Sequence, residues 1–280
     1  MTTLLEARRG AVARLRAADV PDAVQDTAVL LGFVLGVQRA DLAVLSAQTV
    51  LTVAQVEALD RAVTARAARK PMSHITGQRL FWGRSFAVTP DVLDPRPETE
   101  ALIEAALAEP FASVLDLGTG SGCILLTLLA ERRAARGVGV DLSDAALGVA
   151  RRNAADLGVQ AEFAQGSWFD PVHDQFDLIV SNPPYITADE MADLSPEVLA
   201  EPHLALTPGG DGLAAYRLIC AQAPRFLTSA GRLLVEIGAV QGPAVVALFT
   251  AAGFADVQIL PDLEGRDRVV SGRISAVQTA

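Results

Sequence analysis

Apolar residues recur along this chain with two different spacings, and the change between them divides it. Over residues 2–18, Leu4, Leu5, Ala11, Val12 and Leu15 form one helical stripe, with Arg8, Arg9 and Arg14 largely outside it. Val20-Pro21-Asp22 interrupts the pattern. A second helix follows, carrying Val29, Leu30, Phe33 and Val34 and stopping near Gly36. After a short apolar piece at 42–45, Thr52 and Gln55 have the spacing of a capping box. The helix they open presents Val56, Leu59, Val63 and Ala67 before Lys70-Pro71 ends it. The expectation is a small helical bundle over 1–71, serving substrate docking or structure alone.

Residues 72–93 change character. Phe81 to Val88 hold β-favouring residues around Gly83, which predicts a hairpin linker. Beyond it, over 94–280, short buried-strand runs alternate with helical patterns. Arg96-Pro97-Glu98-Thr99-Glu100 opens a helix, with proline and acids suited to its first turn. Strands are predicted at 113–117, 137–141, 159–163, 176–180, 231–237, 256–260 and 268–274. Helices are predicted from Cys123 to Arg132, from Ser143 to about Asn153, through Tyr216 to Ala223, and from Pro243 to Ala252. Strands alternating with helices make a mostly parallel sheet. The last two strands have no helix between them, so the final strand is expected to be antiparallel.

Composition narrows the possible functions. The 280 residues are 51% hydrophobic, enough for a large core, and no run is long enough to span a bilayer. The opening residues lack a basic region followed by an apolar core, so no signal peptide is expected. Cys123 and Cys220 are too few for a disulfide framework, which makes a reducing cytoplasm the default. Net charge is −10, which argues against a broad phosphate-tracking surface. His74, His173 and His203 are scattered, and no metal site is expected.

Two turns carry the candidate chemistry. The strand at 113–117 runs into Gly118-Thr119-Gly120-Ser121-Gly122 and then a helix. Glycines there permit close backbone approach, and a helix start favours an anion. Cys123 stands where a dinucleotide fingerprint has its third glycine, so a small carboxylate fits better than a pyrophosphate. Asp141, at the end of the next strand, could accept ribose hydroxyls or cap the following helix, a task Ser143 suits better. Trp168 could flank an adenine or belong to the core.

The second turn is Asn182-Pro183-Pro184-Tyr185, after an apolar strand. Consecutive prolines stop the ladder and stiffen the chain. The Asn182 side-chain oxygen and the Pro183 carbonyl could accept both protons of a planar –NH2, with Tyr185 against its flat face. Alternatively the turn merely closes a strand.

Together these motifs resemble the class I S-adenosylmethionine-dependent methyltransferases. More narrowly, the chain resembles the HemK/PrmC family of peptide chain release factor glutamine methyltransferases. The resemblance spans nearly the whole chain. It includes the stretch from Val92 to Glu100, Asp116 to Gly122, Asn182 to Tyr185, Glu201-Pro202 and Gly209 to Leu213. Departures are small: Asp94 stands where an apolar residue is expected, and His74 and Trp82 where tyrosines are. The resemblance implies a Rossmann-like domain with a seven-stranded sheet. It also implies N5-methylation of the glutamine in the Gly-Gly-Gln motif of class I release factors. Gly118, Thr119, Gly120, Ser121, Gly122, Asp141, Trp168 and Asn182 would then bind S-adenosyl-L-methionine. Asn182, Pro183, Pro184 and Tyr185 would hold the glutamine, with Asn182, Pro183 and Tyr185 acting in the transfer. The partner would be a release factor, with no direct nucleic-acid or membrane contact, and the chain a monomer. Rival readings are a ribosomal-protein glutamine methyltransferase, an adenine-N6 nucleic-acid methyltransferase, and a non-catalytic cofactor-binding scaffold on the translation machinery.

Overall fold

The computed structural model describes residues 1–38 and 41–274. Residues 39, 40 and 275–280, which fall in the first and third regions read from the sequence, lie outside the described residues. The chain forms two compact units.

The first unit comprises Met1–Gly77 together with Ser195–Ala200. Its helices are α1 (Leu4–Ala17), α2 (Ala23–Leu35), α3 (Val53–Ala67) and α4 (Met72–Thr76). Capping boxes start two of them. Thr3 and Glu6 satisfy each other's backbone N–H groups at α1, and Thr52 and Gln55 do the same at α3. Gly36, in the left-handed conformation, ends α2. Leu4, Ala11, Leu15, Leu30, Leu31, Leu59 and Val63 make the bundle core. The second helix departs from the expected stripe in part: Leu30 is buried as expected, but Phe33 is exposed, and Ala23, Thr27 and Leu31 face inward instead. Thr27 is tolerated there because its hydroxyl donates to the Ala23 carbonyl.

A separate piece of chain completes this unit. Within Ser195–Ala200, the helix α8 (Pro196–Leu199) carries Glu197. Arg69 grips that carboxylate through Nε and Nη2 at 2.6 and 2.8 Å. Arg66 reaches it at 2.7 Å while pairing with Asp26 at 2.6 Å. Nothing in the local pattern announces a long-range tie of this kind.

The second unit comprises Gln78–Leu194 and Glu201–Ala280. A hairpin, β1 (Gln78–Phe81) and β2 (Arg84–Ala87), pairs antiparallel around Trp82-Gly83, both at positive φ. A short 3-10 turn, Pro97–Thr99, leads into α5 (Glu100–Leu107). The sheet strands are β3 (Ser113–Leu117), β4 (Arg136–Asp141), β5 (Glu162–Gln165), β6 (Phe176–Ser181), β7 (Leu227–Glu236), β8 (Phe254–Pro261) and β9 (Asp267–Ile274). The connecting helices are α6 (Cys123–Glu131), α7 (Asp144–Leu157), α9 (His203–Leu206), α10 (Ala214–Gln222) and α11 (Gly242–Ala251).

Spatial order is β5-β4-β3-β6-β7-β9-β8, and only β9 runs antiparallel to its neighbours. The third strand begins three residues later than its apolar pattern suggested, because Val159 and Ala161 pack as partly buried residues in the approach. The helix before it runs on to Leu157, with Gly158 as its left-handed cap.

Side chains alternate between the faces of the sheet. Leu178 and Val180 of β6 join α5 and α6 in one core layer, whereas Ile179 joins α10 and α11 in the other. Both faces are covered, which is why these strands read as unbroken apolar runs.

Candidate active site

The strand order reverses at β3, which lies between β4 and β6. A sheet of this kind opens a crevice at the carboxyl ends of the strands where its order reverses. The register there pairs Leu117 with Ser181, so the glycine loop and the proline turn leave neighbouring strands at the same level. The Ser181 hydroxyl donates to the Leu117 carbonyl at 2.7 Å and ties the two ends together. On the other side Leu117 pairs with Val140, which puts Asp141 at the same edge. Three motifs far apart in sequence thus meet at one rim.

The loop Gly118–Gly122 is held largely by main-chain hydrogen bonds, most of them to the end of β4. Gly118 and Thr119 donate to the Val140 carbonyl, and Gly122 donates to the Thr119 carbonyl. Gly122 has φ +78, and a Cβ there would press on Leu126 and Ala150 at 3.1–3.2 Å, so the position requires glycine. Ser121 is buried, and its carbonyl accepts from Asn153. Asp141 does not cap α7; Ser143 does. Instead Asp141 Oδ2 accepts from the Gly120 N–H at 2.8 Å and Oδ1 from the Ser143 N–H at 2.9 Å. Each oxygen keeps a further lone pair for a hydroxyl donor. Trp168 has φ +51 and lies partly buried against the α10–α11 side of the core.

Asn182 follows β6 directly and is partly exposed, while Pro183 is buried. The Asn182 side-chain nitrogen donates to the Thr99 hydroxyl at 3.2 Å. That leaves its oxygen as the amide's accepting end. Tyr185 packs partly buried against the core, and its carbonyl accepts from Gln241 Nε2 at 3.0 Å. Burial pushes the Tyr185 phenol up to about 12, so it stays neutral. The long loop also braces the turn. Ile186 donates to the Leu206 carbonyl, Ala188 to that of Gly210, and the Thr207 hydroxyl to that of Ile186.

Several residues of this rim were not singled out by sequence reasoning. Asp116 is fully buried in β3, accepts from the Thr119 hydroxyl at 2.8 Å and has its other oxygen unpartnered among the described residues. Burial pushes its carboxyl up to about 7. Glu236 closes β7, buried and likewise pushed to about 7 by burial. An acid inside an otherwise apolar strand run was the available signal for both. Glu201 is buried too; it accepts from the Asp94 N–H at 3.1 Å and from Arg96 at 2.6 Å. Asp94, off-pattern in the sequence, is thus part of a polar joint.

A mostly parallel doubly wound sheet, with a glycine loop and an Asn-Pro-Pro-Tyr turn on adjacent strand ends, defines a class I methyltransferase. Comparison with known proteins narrows the class. Residues 91–217 match the family described as the methyltransferase small domain, and residues 6–77 match the PrmC N-terminal domain. The release factor glutamine methyltransferase of Cereibacter sphaeroides is 58% identical over 274 residues, 97% of this chain and 98% of that protein. The protein of the same description from Caulobacter vibrioides is 45% identical over 96% of each chain. This chain belongs to the release factor glutamine methyltransferases. Among solved structures, the methyltransferase from Pyrococcus furiosus superposes with a TM-score of 0.55 at 13% identity, covering 70% of this chain and 91% of that one. The hMettl16 catalytic domain gives 0.56 at 15% identity, covering 81% and 83%. At these identities the likeness is one of fold.

Proposed function

We propose that this methyltransferase transfers a methyl group from S-adenosyl-L-methionine to the side-chain nitrogen of glutamine in the Gly-Gly-Gln motif of class I release factors. The observation that carries the reading is the adjacency of the glycine loop and the Asn182–Tyr185 turn, with the Asn182 amide held oxygen-outward by Thr99. The residues present suit the cofactor. A Cβ built on Gly118 would meet nothing within 4 Å, so the space above that backbone is open to a ligand. Asp141 offers lone pairs to ribose hydroxyls, and Asp116 holds an unpartnered oxygen beside the loop. Bound S-adenosylmethionine would supply a methyl group on an electron-poor sulfonium.

The protein's own contribution is positioning and electrostatics. A carboxamide nitrogen is a poor nucleophile because its lone pair is delocalised into the carbonyl. The Asn182 oxygen and the Pro183 carbonyl would accept its two N–H bonds and turn the nitrogen's free face outward for in-line attack. Positive charge grows on nitrogen as the new N–C bond forms, so both contacts strengthen toward the transition state. The Tyr185 ring face would add a cation–π attraction of about 1 kcal/mol. The methylated nitrogen then loses its extra proton to water. A glutamate in place of glutamine would present oxygens to the same acceptors, which sites of this type reject by about 10⁴-fold.

The test is a transfer assay with radiolabelled cofactor. It offers an intact class I release factor, the same factor with the motif glutamine changed to glutamate, total ribosomal protein, and DNA. Label on the first substrate alone is the expected result. Label on ribosomal protein or DNA in preference to it would overturn the reading.

A further inference from the structure

The Asn182–Tyr185 turn has few donors of its own. Pro183 and Pro184 carry no N–H, so the middle of the turn cannot anchor itself. Its entry is held by Asn182, whose side chain donates to the Thr99 hydroxyl. Its exit is held by the peptide that joins Tyr185 to Ile186. The N–H of that peptide donates to the Leu206 carbonyl at 3.0 Å, and its carbonyl accepts from Gln241 Nε2 at 3.0 Å. A planar peptide held at both its C=O and its N–H cannot rotate. The clamp therefore fixes the backbone from which the Tyr185 ring springs.

Gln241 is placed for that contact and for no other obvious task. It occupies the N-cap position of α11, yet its side chain makes no capping bond. The amide turns back over the loop that leaves β7. Oε1 accepts from the Gly238 N–H at 3.0 Å, and the Tyr216 hydroxyl lies 3.4 Å from it. With the oxygen facing an N–H, Nε2 must face Tyr185. In the shape of glutamine, accepting at one atom and donating at the other takes an amide or a protonated acid. The loop beneath is stiff. The Gln241 N–H donates to the Gly238 carbonyl, and the Ile237 carbonyl accepts from the buried Arg268 at 3.1 Å. Two glycines flank the contact. A Cβ on Gly212 would lie 2.9 Å from Gln241 Nε2, and one on Gly238 would lie 3.1 Å from Oε1 and 3.5 Å from the Tyr185 ring. These glycines keep open the slot that the amide–carbonyl bond fills.

We propose that Gln241 is a positioning residue for methyl transfer, which holds the Tyr185 ring against the substrate amide by clamping the Tyr185 carbonyl. The inference rests on the glutamine-methylation reading above. The ring attracts positive charge that grows on the substrate nitrogen only as the new bond forms. Without Gln241 the 185–186 peptide is held at one end only, and the ring drifts. The Asn182 oxygen, at the other end of the turn, keeps its place. The loss therefore falls on kcat more than on KM. A displacement of about 1 Å in such a group can cost about 10²-fold.

The experiment compares Gln241→Met and Gln241→Glu with wild type in the full chain. Methionine keeps the reach and loses both bonds; glutamate keeps the shape and, once ionised, loses the donor. In release-factor methylation above neutral pH, both should lower kcat about ten- to hundredfold, with KM and cofactor affinity nearly unchanged. The Gln241→Glu deficit relative to wild type should shrink as pH falls, because a protonated carboxyl donates to Tyr185 again. The Gln241→Met deficit should stay constant. Tyr185, Tyr216 on α10, Glu236 on β7, Arg268 on β9 and Asp267 beside Gly242 are the charged or titratable groups nearby. All are shared with wild type and Gln241→Met, so the comparison isolates the new acid.

The second readout needs no substrate. Tyr185 and Tyr216 are the two tyrosines of the chain, so fluorotyrosine labelling gives two ¹⁹F signals, which Tyr185→Phe assigns. The Tyr185 line should be single and narrow in wild type, broadened or split in Gln241→Met, and sharpened by acid in Gln241→Glu. A Tyr185 line in Gln241→Met as narrow as in wild type, or near-wild-type kcat in either variant above neutral pH, overturns the proposal. So does a Gln241→Glu deficit that acid leaves unchanged, which is what a merely structural role gives. If the ¹⁹F lines behave as expected but wild type leaves the release factor unlabelled, the substrate reading fails and the Gln241–Tyr185 clamp stands.

Discussion

Asp141 Oδ2 accepts a hydrogen bond from the Gly120 N–H at 2.8 Å, so the proposed ribose acceptor is also a strut of the glycine loop. Removing it should do two things at once. Asp141→Ala should weaken cofactor binding at least tenfold, since a hydrogen bond to a charged group is worth about 1.5–3 kcal/mol. It should also loosen the loop, raising amide exchange at Gly120. Asp141→Asn should keep the strut and lose only part of the affinity. Calorimetric titration with cofactor and hydrogen exchange separate the two effects; unchanged affinity in Asp141→Ala would refute the ribose role.

Asn182→Ala should lower kcat for glutamine methylation by about 10²–10³, as loss of one preorganised polar contact does elsewhere. Cofactor affinity should change far less, because the contact belongs to the accepting amide. Single-turnover kinetics alongside a cofactor titration measure both. Near-wild-type turnover would remove Asn182 from the reaction.

Gly212 braces the same turn from behind. Its φ is +74, and a Cβ there would lie 2.4 Å from the Tyr185 carbonyl oxygen and 2.9 Å from Gln241 Nε2. Backbone cannot yield as a side-chain tip can, so Gly212→Ala should displace the turn or the loop. The expected result is a loss of about 2 kcal/mol or more in stability together with a large drop in kcat. Gly209→Ala also meets a positive φ but open space, and should cost stability while sparing turnover. Denaturant melts and initial rates on the pair distinguish strain from collision.

The tie around Glu197 has a definite pH signature. Burial pushes its carboxyl up, but hydrogen bonds from Arg69 and Arg66 outweigh this and hold it at about 2. A folded pKa below the unfolded value of about 4.3 adds stability at neutral pH. That stability is lost as pH falls through the interval between the two values. Glu197→Gln should therefore destabilise the helical unit by about 2 kcal/mol at neutral pH. The gap from wild type should close on acidification, as followed by urea melts at a series of pH values. A gap that stays constant with pH would show that packing, and not charge, holds the segment.

Much of this architecture was legible in the order of residues because the signals are local. Proline and glycine at fixed offsets, a capping threonine with its partner three residues on, and apolar runs between turns each act over a few residues. Each therefore leaves a mark wherever it occurs, as at Thr52-Gln55, Ser143 and Asn182 to Tyr185. The third strand starts three residues late because Val159 and Ala161 are partly buried in an approach that makes no ladder. Phe33 was misplaced because helical periodicity alone does not say which of two apolar flanks meets a neighbour.

By itself, the sequence determined the alternation of strands and helices, the helical front, and the presence of a glycine loop and a stiff amide-bearing turn. Only the tertiary structure decided that these two turns share one rim, that Thr99 stands behind Asn182, and that Glu197 is held by Arg66 and Arg69. The physical reason is distance along the chain. Strand order and buried polar partners depend on which surfaces meet after the chain has closed on itself, and no short stretch of residues encodes that meeting.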